Sequence, residues 1–578
     1  MYWPSVGFGA RSDPIANQSL IIPEDMHSAV APDLILANGR VITADANNRT
    51  FEAVAVKTGR ILAVGNSRDM LDLRGARTEV IDLKGRTVIP GLTDPHVHLA
   101  DDGAASLNKI DVRDFGTNVR SIPHILEVVR AQTREVPPGT WIVGTGSPMQ
   151  DFRMPEKRFP RREELDAVAA DHPVSIGFGA HVTIANSQAL ALAQVTKETA
   201  PPGGGAIELD PTTGELTGKL IERAQYLVRD VIPAYSYEQL KEGIVHAMRR
   251  ALRRGVTTIH DIVTNNETTR AYQELVLEGR LPIRASLLLR ILEAKIVPES
   301  LLNLGIKTGF GNDWLKIGGV KMSIDGGITG RVAAFYEPYV GDPCHCGLIR
   351  IPADELDETV NAYHRAGHRV CIHAIGDRAM DMALDAIEKA VTALPRTDHR
   401  HRVEHLGNWM ITKERLERIR RLEVLPVPNV PFLHFIWESL LDCMGPARLD
   451  GSFGVKTLLE SGIPITSGSD GPGYWPTDPL RDMGTSVSRQ IWSGATIGAD
   501  QAISAVDALR MFTINAAYNS FDERIKGSIE PGKLADLAVL AQDPFTIAPE
   551  RIKDIPVDMT IVDGRVAFVS DGAPGLRQ

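Results

Sequence analysis

Two histidines separated by one residue, His96 and His98, are the clearest candidates for chemistry in this sequence. They end an apolar run that begins at Thr87, and a run of this kind predicts a buried β-strand. Because alternate side chains of a strand share a face, both imidazoles can be directed at one point. Converging imidazoles suit a divalent metal such as zinc. A surface or strand-end pair would look the same, so the motif alone leaves both interpretations open.

The elements that would position these histidines are strands alternating with helices. Eight strand-like segments occur, most of them followed by a helical pattern: the run ending at His98 and residues 255–261, 282–289, 314–325, 368–373, 401–405, 424–428 and 463–470. Helical periodicity covers residues 238–254, 355–366, 379–394, 413–422 and 505–517. This alternation predicts an α/β fold, a (β/α)8 TIM barrel, over residues 89–526.

Further candidate metal ligands lie on the later predicted strands. They are Lys321 on the fourth strand, His373 and His405 at the ends of the fifth and sixth, and Asp470 at the end of the eighth. Active sites of this fold lie at the C-terminal ends of the strands, so one ring can collect all of these side chains. Each has an ordinary structural explanation when taken alone, such as a core histidine or a turn aspartate. Their joint placement favours a metal-dependent active site.

The sequence outside the alternating strands and helices predicts a small β-sandwich, an inserted lobe and an N-terminal arm. Short strand-like runs in residues 32–88 and 527–572 predict a small β-sandwich formed by both termini. Residues 100–254 are too long for a simple crossover, so we expect an inserted lobe between barrel strands 1 and 2 that shapes the substrate pocket. Residues 1–31 read as an arm that is disordered or packs on a neighbouring subunit, which leaves a homodimer open.

Composition narrows the class of protein. A net charge of −10 argues against a nucleic-acid surface, which needs clustered Lys and Arg. No apolar run is long enough to span a membrane, and residues 1–20 lack a signal-peptide pattern. Four cysteines are too few for a disulfide scaffold. We therefore expect a cytoplasmic protein whose partner is a small-molecule substrate.

Several motifs resemble those of the metal-dependent amidohydrolase superfamily. The similarity runs from residues 35–41 through the His96 motif to residues 531–536. The segments HVTIANS (181–187), KMSIDG (321–326), HAIGDRA (373–379) and RVEH (402–405), with Arg331, resemble a narrower branch. That branch surrounds the N-substituted formamide deformylases and is also called YtcJ-like or amidohydrolase family 3.

The resemblance implies a ligand set and a reaction. His96, His98, His373, His405 and Asp470 would bind one or two divalent ions, zinc being the leading candidate. Family members of this type carbamylate a lysine with carbon dioxide, and Lys321 is the matching residue of this chain; a single metal ion is the alternative. Coordination lowers the pKa of water to about 7, so hydroxide would attack an amide-type, non-peptide C–N bond. Asp470 would serve as ligand and as general base and then acid.

The resemblance also suggests roles for residues around the metal. His181 would face the substrate, with a capping or core role as the alternative. Arg331 is a candidate for binding a substrate carboxylate, with pairing to a local acid as its alternative. Asp325 is a substrate-site residue that would also orient its neighbours by hydrogen bonding. The metal identity and the substrate stay open, and the alternatives are a lactone, ester or decarboxylation reaction, or a non-catalytic assembly protein.

Overall fold

A computed structural model of the protein describes residues 31–114, 119–148, 150–179, 182–202, 205–292, 298–471, 475–573 and 576. Nearly all of the expected N-terminal arm, residues 1–30, lies outside the described residues. Among the helices of the described residues, none combines the length and the apolar character that crossing a bilayer requires.

Short strands and one helix open the described chain. They are β1 (Leu34–Ala37), β2 (Arg40–Ile42), β3 (Thr50–Phe51), β4 (Ala53–Lys57), β5 (Arg60–Gly65), α1 (Ser67–Asp72), β6 (Glu79–Asp82) and β7 (Thr87–Pro90). The first barrel strand and an inserted region follow as β8 (Leu92–Val97), α2 (Leu99–Asn108), β9 (Lys109–Asp111), α3 (Ile122–Thr133), β10 (Ile142–Gly146), α4 (Gln150–Arg153), α5 (Arg162–Asp166), β11 (Val174–Phe178), β12 (Val182–Ala185), α6 (Ser187–Leu192), β13 (Gly205–Leu209), β14 (Leu216–Glu222), α7 (Gln225–Arg229) and α8 (Tyr237–Leu252).

Strands and helices then alternate. They are β15 (Val256–Val263), α9 (Asn266–Leu277), β16 (Arg284–Arg290), α10 (Pro298–Leu304), β17 (Leu315–Ser323), α11 (Ala353–Arg365), β18 (Val370–His373), α12 (Asp377–Ala393), β19 (Arg402–Glu404), α13 (Lys413–Arg421), β20 (Leu425–Val427), α14 (Val430–Met444), α15 (Pro446–Leu449), α16 (Val455–Glu460), α17 (Pro479–Ser488), α18 (Ala505–Met511) and α19 (Ile514–Asn519). Three strands close the chain: β21 (Leu537–Leu540), β22 (Val557–Val562) and β23 (Arg565–Val569).

Seven parallel strands form a nearly closed barrel in the order β8-β15-β16-β17-β18-β19-β20. The predicted eighth strand, residues 463–470, is not a regular strand. Pro464 has no N–H to donate, which disfavours a regular ladder. The segment still bridges the gap, since the Asp470 N–H donates to the His96 carbonyl (2.8 Å) and the Gly468 N–H to the Pro428 carbonyl (3.2 Å).

The predicted strand ending at His98 is in fact two strands in two sheets. β7 pairs with β2 and β21, whereas β8 pairs with β15 in the barrel. Gly91 separates them, and a Cβ there would lie 2.2 Å from Thr257 Oγ1, so only glycine fits. The predicted domain boundary between residues 88 and 89 lies within β7, and the chain changes sheet at Gly91.

Both ends of the chain contribute to one pair of sheets. One sheet has the order β5-β4-β1-β6, and the other, β23-β22-β21-β7-β2-β3, combines strands from both termini. Leu36 and Val54 from the first sheet share a buried cluster with Val539 and Ile561 from the second. The terminal strands therefore have a core of their own beside the barrel.

The region between β8 and β15 holds a separate sheet in the order β13-β14-β12-β11-β10-β9. Its own buried cluster includes Ile125, Ile176 and Phe178. Where α2 crosses α8, a Cβ on Gly103 would lie 2.5 Å from the Gly243 carbonyl, so the two helices touch through glycines.

One predicted helix needs correction. Residues 505–517 form two short helices, α18 and α19, because Thr513 has φ −126° and ψ −98°, outside the helical region.

Candidate metal centre

Three of the predicted ligands converge at the mouth of the barrel. His96 Nε2 lies 3.1 Å and His98 Nε2 3.2 Å from the same oxygen of Asp470. The ligand atoms of these residues all lie within 4.8 Å of one another. β8 positions the histidines, and the Asp470 N–H bond to the His96 carbonyl holds the aspartate against them.

His373 and His405 form a second pair beside the first. His405 Nε2 lies 2.9 Å from His373 Nδ1, and the His96 and His405 ring centroids are 5.2 Å apart. His373 ends β18, and His405 follows β19 with φ +69°, a turn that directs its ring toward the barrel axis. Burial lowers the pKa of His405 to about 3 and that of His373 well below its ordinary value. Both rings are therefore neutral and able to bind a metal.

Lys321 lies on β17, paired in register with Cys371 of the next strand, and is buried. Burial lowers its pKa to about 8, while the nearby carboxylates of Glu404 and Asp470 oppose that shift. Lys321, His98, His373 and Asp470 line one cavity of about 730 Å³. The structure thus brings residues of the first, fourth, fifth and eighth predicted strands to a common space.

The donor atoms fit a cation. His96 Nδ1 contacts Glu404 Oε2 at 2.6 Å, and because a carboxylate only accepts, the proton is on Nδ1. A neutral His96 ring then has its Nε2 lone pair on the side of the Asp470 carboxylate, where a cation between the two groups would bind both. His405 Nδ1 likewise contacts Asn429 Oδ1 at 2.6 Å, and Asn429 Nδ2 donates to the Gly468 carbonyl, which fixes the amide. The lone pair of His405 is then on Nε2, which faces His373 Nδ1 and could bind a metal instead.

Sequence reasoning missed the residue that orients His96. Glu404 is fully buried and accepts two bonds of 2.7 Å from Arg402, which also donates to the Pro95 carbonyl. Burial would raise the pKa of Glu404, but the charge of Arg402 and the hydrogen bond from His96 hold it well below its ordinary value. Glu404 directly precedes His405 in the RVEH motif, and this position is the sequence feature that could have identified Glu404 as part of the site.

Asp94, which sequence reasoning also missed, joins the backbone at His96 to the backbone beside Asp470. Its Oδ1 accepts the Ser469 N–H at 3.0 Å and the His96 N–H at 3.3 Å. Asp94 precedes His96 by two residues on β8, so both side chains share a face of that strand.

Two of the expected substrate-binding residues, Asp325 and Arg331, differ in their contacts. Asp325 is fully buried, and its carboxylate accepts the N–H groups of Ala334, Ile375 and Gly376 at 2.8–3.0 Å. These three bonds give Asp325 an orienting role, its Oδ1 lies 3.5 Å from His373 Nε2, and its contact with the substrate stays a prediction.

Arg331 bonds within its own loop in this structure, and its binding of a substrate carboxylate stays a prediction. Its NH1 donates to the Val340 carbonyl at 3.1 Å, and its guanidinium lies 5.9 Å from the Tyr339 ring centroid, within its own loop. Arg331 is not among the described residues that line the cavity. His181 lies outside the described residues.

Comparison with known proteins gives consistent results. A model of the amidohydrolase family matches residues 79–568. The N-substituted formamide deformylase of Arthrobacter pascens is 30% identical, covering 94% of this chain and 99% of the relative. Protein LONG AFTER FAR-RED 3 of Arabidopsis thaliana is 31% identical, covering 94% of this chain and 92% of the relative.

A solved structure extends the comparison to the fold. An uncharacterized metal-dependent hydrolase from Pyrococcus horikoshii superposes with a TM-score of 0.70 at 27% identity, covering 89% of this chain and 99% of that chain. The expected resemblance to the formamide deformylase-like branch is confirmed by the family match and the deformylase. The parallel barrel sheet agrees with a TIM barrel.

Proposed function

The chain belongs to the amidohydrolase family, and from this premise we propose that it uses one or two divalent cations to hydrolyse an N-substituted formamide or another N-acyl amine. Family and relatives make it a hydrolase of non-peptide C–N bonds. The name of the Arthrobacter relative motivates the formamide, and the metal-assisted route is our inference from the side chains at the barrel mouth.

The observation that carries the proposal is the meeting of His96 Nε2, His98 Nε2 and one Asp470 oxygen. Neutral imidazole nitrogens and a carboxylate oxygen are ligands that zinc and similar ions accept. A divalent cation held there supplies a Lewis acid for the carbonyl and lowers the pKa of water to about 7.

Asp470 is suited to move the proton of this reaction. Its carboxylate lines the cavity and keeps 18% of its side-chain surface exposed there. It would take a proton from the attacking water and return it to the leaving nitrogen, as general base and then acid. Glu404 would hold the His96 ring in its ligand orientation throughout.

With two cations bound, the neutral amine of Lys321 would add carbon dioxide and lose a proton, giving a carbamate. An ammonium group beside cations is repulsive, whereas a carbamate would supply anionic oxygen ligands near His373 and His405. The separate sheet between β8 and β15 would select the substrate, because Thr183 and Gln225 of that region line the same cavity.

A substrate panel tests the proposal. Purified zinc-loaded protein is assayed with N-benzylformamide, N-acetyl amines and cyclic amides against γ-butyrolactone and aryl esters, with release of amine or acid as the readout. We expect turnover of at least one amide class. Cleavage of lactones or esters alone would overturn the proposal.

A further inference from the structure

The amino-terminal half of the barrel interior, which we call the barrel floor, contains buried polar atoms without a hydrogen-bond partner. Among the described residues these atoms include Arg369 Nε and NH2, His260 Nε2 and Ser286 Oγ. Each of the three side chains is at most 1% exposed. Buried polar groups of folded proteins are almost always hydrogen-bonded, so three such residues in one place point to a bound partner.

The three residues lie close together around the barrel. His260 of β15 pairs in register with Ser286 of β16. A Cβ on Gly318 of β17 would lie 2.2 Å from Ser286 Oγ, and a Cβ on Gly319 would lie 3.4 Å from the Nε of Arg369, which directly precedes β18. Ser286 and Arg369 therefore lie on either side of two consecutive glycines of β17, where the register with β16 shifts.

A small apolar cluster lies between the barrel floor and the metal centre. Ile262, Leu288 and Cys371 each follow one of the three residues by two positions, and they form a buried cluster of their own. Alternate residues of a strand share a face, so this cluster lies on the carboxyl-end side of the unpartnered atoms. The barrel floor is therefore separate from the candidate metal centre.

The unpartnered atoms can all donate hydrogen bonds. Arg402 NH1 donates to His260 Nδ1 at 3.1 Å, so the proton of the neutral His260 ring is on Nε2. The nitrogens of Arg369 only donate, and the Ser286 hydroxyl can rotate to donate. The partner must therefore accept several hydrogen bonds at once, as an anion does.

Arg489 shows how the protein pairs a buried arginine without any ligand. It is 1% exposed, and its Nε, NH1 and NH2 donate to the carbonyls of Ile497, Phe453 and Ser452. Of the three nitrogens of Arg369, only NH1 has an acceptor among the described residues, namely Asn519. The guanidinium of Arg369 also lies 5.4 Å from the Phe521 ring centroid, a contact with its charge.

The barrel floor has an excess of positive charge. Burial is the first cause of the lowered pKa of His260, and the next causes are the charges of four cations: Arg402, Arg369, Lys526 and Lys316. Two buried carboxylates pair with part of this charge, Glu404 with Arg402 and Asp522 with both lysines. Four cations against these two carboxylates leave two positive charges, which a bound anion would offset.

The cations of the barrel floor keep their charge at neutral pH. Burial lowers the pKa of Lys316 to about 8 and that of Arg369 to about 10. Both values lie above 7, so neither residue loses its charge by giving up a proton. The excess of positive charge is therefore present under the conditions in which the protein would work.

The room in the barrel floor limits the size of a ligand. A cavity of about 10 Å³ reaches Ser286 and is also lined by Lys316, Lys526 and Asp522. A cavity of this volume holds about one water-sized particle, which excludes phosphate and carboxylate ligands. A monatomic anion is the class of ligand that fits both the size and the charge.

We propose that the barrel floor binds one monatomic anion, chloride under physiological conditions, between the N–H groups of Arg369 and His260 and the hydroxyl of Ser286. The anion would join β15 and β16 to the residue that begins the turn into β18. It would stabilise the barrel and take no part in hydrolysis, so the inference does not depend on the proposed function.

Anomalous diffraction tests the site in the unmodified protein. Crystals are grown with sodium bromide in place of sodium chloride, because bromide replaces chloride and scatters anomalously. We expect a bromide peak in contact with Arg369 Nε and His260 Nε2. Water alone at this position, or bromide only at other positions, would overturn the proposal.

Thermal unfolding tests the effect of the anion in solution. A ligand that binds only the folded state raises the thermal midpoint as its concentration rises. The midpoint of the unmodified protein should therefore rise with sodium chloride more than with sodium gluconate of equal ionic strength, because gluconate is too large for the site. Ser286→Ala should weaken the apparent chloride affinity by about tenfold, as expected for one hydrogen bond to a charged group.

Arg369→Gln and Arg489→Gln form a matched pair, because both remove a buried arginine. Both variants should be less stable than the unmodified protein. The difference between chloride and gluconate should be lost in Arg369→Gln and kept in Arg489→Gln. An equal chloride dependence in Arg369→Gln and the unmodified protein would overturn the proposal, and if Arg369→Gln does not fold, the bromide peak and Ser286→Ala decide.

Discussion

Histidines cluster at both ends of the same barrel strands, yet the two clusters differ in how their nitrogens are used. At the carboxyl ends, His96 Nε2 faces a carboxylate oxygen at 3.1 Å and His405 Nε2 faces another imidazole nitrogen at 2.9 Å. At the amino ends, His401 Nδ1 accepts the Val370 N–H at 3.1 Å, so its protonated Nε2 donates to His364 Nδ1 at 2.8 Å.

The histidines of the amino-end cluster form further hydrogen bonds within the protein. His364 Nε2 donates to the Leu394 carbonyl at 2.7 Å, and the His401 N–H donates to His399 Nδ1 at 3.0 Å. Each of these contacts joins a donor to an acceptor, so the cluster needs no ion. The number of histidines therefore does not define a metal site: the amino-end nitrogens bond to protein donors and acceptors, whereas the Nε2 atoms of His96 and His98 both face one Asp470 oxygen.

The largest expected effect is on the carboxyl-end cluster. Asp470→Asn should lower kcat by about 10³-fold or more, because the group that moves the proton is lost. Steady-state kinetics on the best amide, with metal content measured in parallel, checks this. Exposed Asp500→Asn is the control and should behave as the unmodified protein. Full activity in Asp470→Asn would contradict the assigned role.

Glu404→Gln should weaken metal binding by about 10–100-fold, since the partner that orients His96 loses its charge. Competition with a chromogenic chelator measures the affinity. Glu417→Gln, at an exposed position on α13, is the comparison variant. Unchanged zinc affinity in Glu404→Gln would show that the His96–Glu404 bond does not serve the metal.

His401→Leu should act on stability alone. It leaves the Val370 N–H and His364 Nδ1 without partners, a cost of about 1–3 kcal/mol for each buried group. Denaturant unfolding of the zinc-loaded protein should show this loss, with zinc content and kcat retained. Exposed His124→Leu should change stability little. Loss of zinc from His401→Leu would contradict the separation of the two clusters.

The smallest effect is a pH dependence of stability. Burial lowers the pKa of His399 from 6.5 to about 4, so the unfolded chain binds a proton that the folded chain does not between these values. Stability from this residue is therefore complete above pH 6.5 and is lost as the pH falls toward 4. His399→Gln should flatten the decline of the thermal midpoint from pH 7 to 5. An identical decline of the thermal midpoint in that variant would show that His399 does not contribute to the pH dependence of stability.

Local sequence pattern predicted the order of the barrel strands and the candidate metal ligands at their ends, because each of these depends on one strand. His373 and His405 could be identified at the ends of apolar runs, and the structure brings them within 2.9 Å of each other. The role of Glu404 could not be identified in this way, because its partner His96 lies 308 residues away in the sequence.

Other errors have equally specific causes. Strand periodicity does not reveal that Gly91 lets the chain change sheets, since this depends on contact with Thr257. The family resemblance suggested a substrate carboxylate as the partner of Arg331, whereas in the structure its side chain donates to the Val340 carbonyl of the same loop.

The most direct test of the metal centre is elemental analysis of zinc in the unmodified protein and in His96→Gln, His405→Gln and His401→Leu. We expect one or two ions per chain in the unmodified protein and in His401→Leu, and a marked loss in the two variants of the carboxyl-end cluster. Absence of divalent metal from the unmodified protein after zinc loading, or full retention in His96→Gln and His405→Gln, would contradict the account.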